Sequence, residues 1–175
     1  LVEAWRESFA AIAGRFAGAD PSARVKWMGP EMSVRSAITA RLMETWAHGQ
    51  AVYDLLGVVR RNADRIRNIA VLGVNTFDWT FKVRGETPPA PKPHVRLIAP
   101  SGAVWTWNEP SEADLVAGSA EEFCQVVTQV RNIADTALTL RGAAARAWME
   151  KAQCFAGPPE TPPAPGTRRT SPRPA

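Results

Sequence analysis

Four prolines fall within the six residues 88–93 of GETPPAPKPH. Proline locks φ at about −65°, removes a backbone donor and clashes with the preceding turn, so no helix can pass through this stretch. The sequence on either side also changes character, from helical periodicity before it to strand alternation after it. The predicted organisation is therefore a helical domain over 1–85, a stiff linker over 86–92 and a small α+β module over 93–156.

Before the prolines, Val2, Trp5, Phe9, Ile12 and Phe16 recur at threes and fours and predict a helix over 2–17. Asp20-Pro21-Ser22 ends it. ARVKWMGPEMS reads as an extended crossover with Gly29-Pro30 as its turn. Ser33 is a plausible N-cap for a helix running to Gly57, where a C-terminus favours a left-handed residue. Val34, Ile38, Leu42, Thr45, Gly49, Val52 and Leu56 form its expected buried stripe. A third helix over 62–83 carries Ile66, Ile69, Gly73, Phe77 and Phe81 inward. Three helices with short connections predict part of an antiparallel bundle.

After the prolines, Val95, Leu97 and Ala99 alternate, Ser101-Gly102 turns, and Val104 to Trp107 returns as a hairpin. DLVAG and TALTLRG read as further strands, and 119–131 and 143–155 as helices. From Gly157 onward seven prolines and almost no bulky apolar residues predict a disordered Pro/Arg tail over 157–175 with no role in chemistry.

Composition limits the function classes. No run approaches the roughly 20 apolar residues of a membrane span, and the charged opening LVEAWRESF lacks a secretory signal. The absence of an initiator methionine, with an opening in mid-pattern, reads as a chain missing its true N-terminus. Two cysteines, Cys124 and Cys154, in apolar contexts fit small buried thiols in a reducing cytoplasm better than a disulfide framework. The tail holds three arginines against one glutamate, so half of the net charge of +4 sits there. The remaining basic residues are scattered, which leaves nucleic-acid binding a minor alternative.

The stretch RLMETWAHGQ places Arg41, Glu44 and His48 on one side of a helix, and with Ala37, Ala51 and Leu55 they fill an arc of about 80° that lies roughly a quarter-turn from the expected stripe. This puts Glu44 and His48 at the shoulder of the core. A glutamate and a histidine four apart have Cβ atoms ~5–6 Å apart and can share one ion at ~2.0–2.2 Å from each. The same spacing also arises in solvated pairs and satisfied core hydrogen bonds. Arg41 could orient Glu44 by a hydrogen bond or be solvated. His94, at the start of a strand, reads as an exposed linker residue.

Taken in order, R-x-x-E-x-x-x-H in RLMETWAHGQAVYDLLG, the crossover VKWMGPEMS, APSGAVWTWNE, VAGSAEEFCQVVTQVRN, DTALTLRGAAARAWM and the close AQCFAGPP resemble one family. It is the mycothiol-dependent maleylpyruvate isomerase family of the DinB-like four-helix-bundle superfamily, in an actinobacterial, metal-binding branch. The resemblance spans about residues 1 to 160. It implies an α+β chain, a partial DinB-like bundle followed by a sterol-carrier-like module. It also implies a divalent metal, zinc, held by two histidines and a glutamate. Two of those roles map onto Glu44 and His48, and the third ligand is expected upstream of Leu1. In the family's C-terminal module an arginine binds substrate or thiol; the matching residue is Arg131, for which a surface cation near a helix C-terminus is an equal alternative.

The implied chemistry is isomerase or S-transferase activity, with mycothiol as thiol cofactor and a small electrophile as substrate. A non-catalytic metal-binding or apolar-ligand-binding protein is the alternative.

Overall fold

The longest helix starts where a serine can cap it and stops where a glycine can reverse the chain. The computed structural model describes residues 1–26 and 31–168. Its elements are α1 (Val2–Ala17), β1 (Arg24–Val25), β2 (Met32–Ser33), α2 (Val34–Leu56), α3 (Arg67–Asn75), α4 (Phe77–Lys82), β3 (His94–Ile98), β4 (Val104–Trp107), β5 (Leu115–Ser119), α5 (Ala120–Val127), β6 (Thr139–Arg141) and α6 (Ala143–Met149). At the start of α2, Ser33 Oγ accepts from the Ser36 amide at 3.2 Å, satisfying one of the orphan donors of the first turn. At its end Gly57 has φ 65°. The Val58 amide donates to Tyr53 O at 3.0 Å and the Gly57 amide to Asp54 O at 3.2 Å, the paired bonds of a Schellman close.

The chain forms two compact units, Leu1–Arg41 and Leu42–Ala175. In the first, α1 has no buried residue, and Trp5 stacks on Phe9 at 5.6 Å. Strand β1 pairs antiparallel with β2, Arg24 opposite Ser33 and Val25 opposite Met32. The expected Gly29-Pro30 turn lies outside the described residues.

The second unit is built on a four-stranded mixed sheet of order β4-β3-β5-β6. Strand β3 runs antiparallel to β4 and parallel to β5, and β6 is antiparallel to β5. The alternation in the sequence places Val95, Leu97 and Ala99 in the core, and all three are buried. Trp148 of α6 packs edge-on against Phe77 of α4 at 5.1 Å and Phe123 of α5 at 5.7 Å. At Gly73 of α3 an added Cβ would lie 2.9 Å from Val127 Cγ2, so the α3–α5 approach depends on the missing side chain. The chain is thus α+β, as expected: helical at its N-terminal end, with a small sheet module following.

Four expectations need correction. First, the proline segment is not where the chain divides, since 86–92 lies inside the second unit. Proline excludes helix locally but does not decide which core the neighbouring helix joins. Ile66, Ile69, Phe77 and Phe81 face inward as expected, yet they enter one hydrophobic cluster with Val95, Leu97, Phe123 and Trp148. Lys92 ties the segment back onto α4 through Asp78 at 3.0 Å and the face of Phe77. The predicted 62–83 helix is divided into a 3-10 turn at Asp64–Ile66, α3 and α4, and the Thr76 hydroxyl at that division donates to Leu72 O and Gly73 O.

Second, the buried face of α2 beyond residue 42 is Met43, Trp46, Ala47 and Gln50, while Ile38, Val52 and Leu56 of the expected stripe are exposed. The helix is apolar on two sides, and periodicity alone selects the more aliphatic one. Third, residues 157–168 are pinned. Glu160 O accepts from Arg84 at 2.5 Å and Gln129 at 3.2 Å, Pro163 O from Asn132 at 2.8 Å, and Asp135 from the Gly166 amide at 2.8 Å. A strap without a bulky apolar side chain of its own is held by backbone carbonyls and an amide paired to side chains of the body; residues 169–175 lie outside the described set. Fourth, His94 is buried, its Nδ1 3.1 Å from Trp107 O, because it opens β3 as a sheet residue.

Candidate functional site

The i,i+4 geometry of α2 brings His48 Nε2 to 3.2 Å from Glu44 Oε2. The side chains are not at the shoulder of the core: they are 85% and 48% exposed, because the helix turns Met43, Trp46 and Ala47 inward instead. They edge a groove of about 460 Å³ floored by Met43, Ala47 and Phe155 and walled by Glu160 and Arg168 of the C-terminal strap. An imidazole nitrogen and a carboxylate oxygen at this separation fit one edge of a tetrahedral zinc polyhedron, whose ligand bonds of ~2.0–2.2 Å place donors ~3.3 Å apart. Among the described residues no group of three His, Cys, Asp or Glu is arranged to hold a metal ion, so the pair fits zinc as part of a ligand set.

Arg41 is exposed and, in the first unit, lines a shallow apolar groove of about 350 Å³ with Phe9, Ile12, Phe16 and Ile38.

Arg131 is not a surface cation. It is 2% exposed, and its fork grips Asp54 of α2, Nη1 to Oδ2 at 2.7 Å and Nη2 to Oδ1 at 2.5 Å. Nη1 also donates to Val130 O at 2.8 Å, and Asp54 Oδ1 accepts from Gln50 Nε2 at 3.0 Å. A bidentate pair of this kind is strong and directional. Sequence reasoning singled out Arg131 but not Asp54, 77 positions earlier, because no local spacing links them.

A second cavity, of about 740 Å³, was not visible in the sequence. It lies between the end of α2, the loop after it and the start of α5, and its lining includes Gln50, Arg60, Glu121, Gln125 and Arg131. Arg60 lies over the rings of Trp46 at 4.9 Å and Tyr53 at 5.1 Å and donates to Trp46 O at 2.6 Å. Burial lowers its pKa from the ordinary arginine value. Asp54 lines both cavities.

Both cysteines are buried and free. Burial pushes both thiols up, with a smaller contribution to Cys124 from Cys154 and to Cys154 from Glu44. Neither can act as a thiolate nucleophile in the folded chain. A thiol-reactive dye at pH 8 is expected to label neither in the native protein and both in denaturant; fast native labelling would contradict the burial. The folded chain holds these protons where an unfolded thiol ionises near 9.0. Their contribution to stability is therefore intact below that pH and declines as pH rises through it.

The chain is thus an α+β protein whose helix α2 presents an exposed Glu44–His48 pair. Residues 1–53 match the family described as the mycothiol maleylpyruvate isomerase N-terminal domain. Two uncharacterized proteins of Mycobacterium tuberculosis, one from strain CDC 1551 / Oshkosh and one from ATCC 25618 / H37Rv, are each 44% identical over 159 residues. That stretch is 91% of this chain and 62% of theirs; the chain spans less than two thirds of the relatives it matches. No solved structure matches. The matched segment 1–53 contains Arg41, Glu44 and His48. Among the described residues no helix is long and apolar enough to cross a membrane.

Proposed function

We propose that this chain carries part of a divalent-metal site used by a mycothiol-dependent isomerase or S-transferase, with a DinB-like bundle completed by sequence that the longer relatives possess. The observation carrying this reading is the 3.2 Å Glu44–His48 pair inside the family-matched segment. Glu44 Oε2 and His48 Nε2 would hold zinc, and the metal would supply the charge that keeps a bound thiol as thiolate near neutral pH. The exposure of both side chains leaves the donors open to further ligands. Phe155, Met43 and Ala47 give the groove an apolar floor, and the strap residues Glu160 and Arg168 form its wall. Arg41 and Arg131 divide in role. Arg41 sits one turn before Glu44 where it can orient the carboxylate, whereas Arg131 acts through Asp54 as a positioning residue.

The experiment is zinc binding by this chain, followed by calorimetry, in the wild type and in His48→Ala and Glu44→Gln. Each variant is expected to weaken binding at least about tenfold. Unchanged binding in His48→Ala would falsify the site. A second reading, a metal-binding or ligand-binding protein without catalysis, is favoured by one observation: Arg131 is engaged with Asp54 rather than presented to a substrate. Thiol-dependent turnover by the longer protein separates the two, since zinc binding without turnover supports the second.

A further inference from the structure

The 740 Å³ cavity shares only Asp54 with the Glu44–His48 groove, and its size is that of a small-molecule site. Its lining contains groups that a folded chain does not ordinarily bury unanswered. Gln125 is 8% exposed, and its carboxamide makes no hydrogen bond among the described residues. Gln50 is 5% exposed; its Nε2 donates to Asp54, but its Oε1 has no partner among them. Asp135 holds the Gly166 amide with Oδ1, while its buried Oδ2 has no hydrogen-bond partner among the described residues. Buried polar atoms in native proteins are nearly always satisfied, and such a set around one cavity marks a place where something else supplies the partners.

Charge narrows what that is. Asp54 and Arg131 neutralise one another in their bidentate pair. That leaves the carboxylates of Glu121, Glu122 and Asp135 around the cavity against the single guanidinium of Arg60, which is stacked on Trp46 and Tyr53. One oxygen of Glu122 already accepts from the Ala137 amide at 3.1 Å. The cavity therefore carries an excess of negative charge in a chain whose overall charge is positive.

We propose that this cavity binds a small polar organic cation, a protonated amine that also carries hydroxyl groups. Carboxamides both donate and accept, so hydroxyls answer Gln50 and Gln125 in either sense. The ammonium answers Glu121, Glu122 and Asp135. A simple aliphatic amine leaves the carboxamides unpaired, and an anion meets three carboxylates. The site is independent of the metal reading, because none of its hydrogen-bonding groups belongs to the Glu44–His48 pair.

The test is a titration of three sugars of similar size, glucosamine, glucose and glucuronate, into the chain in chelator-treated buffer, followed by calorimetry and amide chemical shifts. Glucosamine is expected to bind at least about tenfold more tightly than glucose, with glucuronate weakest, and the shifts are expected to map to α5 and the end of α2. Gln125→Leu is expected to weaken glucosamine and glucose alike. Glu121→Gln, at a half-buried position that leaves the core intact, is expected to remove the preference for the amine, which keeps the proposal testable if Gln125→Leu unfolds. His48→Ala is expected to leave sugar binding at the wild-type level, so the two sites succeed or fail separately. Equal affinity for all three sugars, no saturable binding of glucosamine, or shifts mapping elsewhere would each overturn the proposal.

Discussion

Arg131→Met is expected to destabilise the chain by about 3–5 kcal/mol, read as a fall in the denaturant midpoint, because it strands a buried carboxylate. Asp54 has a side chain only 13% exposed, and without the guanidinium it keeps, among the described residues, a single donor, Gln50 Nε2. The Coulomb attraction in the native pair offsets the desolvation of both ions; the single change removes the attraction and leaves one desolvated charge. The control is Asp54→Leu with Arg131→Met, which removes both ions together. The double variant is expected to recover most of the loss, since apolar replacement of a whole buried pair is often near neutral. If Arg131→Met alone melts like the wild type, Arg131 is not a strut and its direct role toward a ligand regains its place. If the double variant is as unstable as the single, the coupling between the two is not the source of the effect.

The second large effect is at Trp148, 1% exposed where α4, α5 and α6 meet. Trp148→Ala is expected to cost about 3–5 kcal/mol through lost burial and a residual cavity, lowering the melting temperature by more than about 10 °C. The informative readout is hydrogen exchange by segment. Phe77 and Phe123 both touch the ring, so protection is expected to fall together in 67–82, in the sheet and in α5. If the helices before the prolines kept their protection while the sheet lost it, the segment 86–92 would be a domain boundary after all.

The start of α2 at Ser33, its close at Gly57, the β3–β4 hairpin and the inward set Ile66, Ile69, Gly73, Phe77 and Phe81 were all legible. Each depends on a backbone preference or a periodicity contained in a few neighbouring residues. Periodicity does not fix the buried face of α2, because the helix has two apolar sides and only the position of the sheet core selects Met43, Trp46 and Ala47. Composition predicts disorder for the strap at 157–168 because it buries little surface. Its anchors Arg84, Gln129, Asn132 and Asp135 are supplied by distant segments.

For the candidate site, spacing alone placed Glu44 and His48 within reach of one ion, and the structure puts them 3.2 Å apart. It could not set their exposure, since that depends on what packs around the helix. The cavity lined by Gln50 and Gln125 left no trace at all in local patterns, because its walls come together from segments some seventy residues apart. By itself, then, the sequence determined the local conformations, the strand alternation and the Glu–His pair, all of which are short-range properties of the chain. The tertiary structure alone decided which helix face is buried, that α3 and α4 join the sheet's core, that Asp54 holds Arg131, and that a second cavity exists. These are long-range outcomes of hydrophobic burial and buried-charge pairing, which have no spacing to be read.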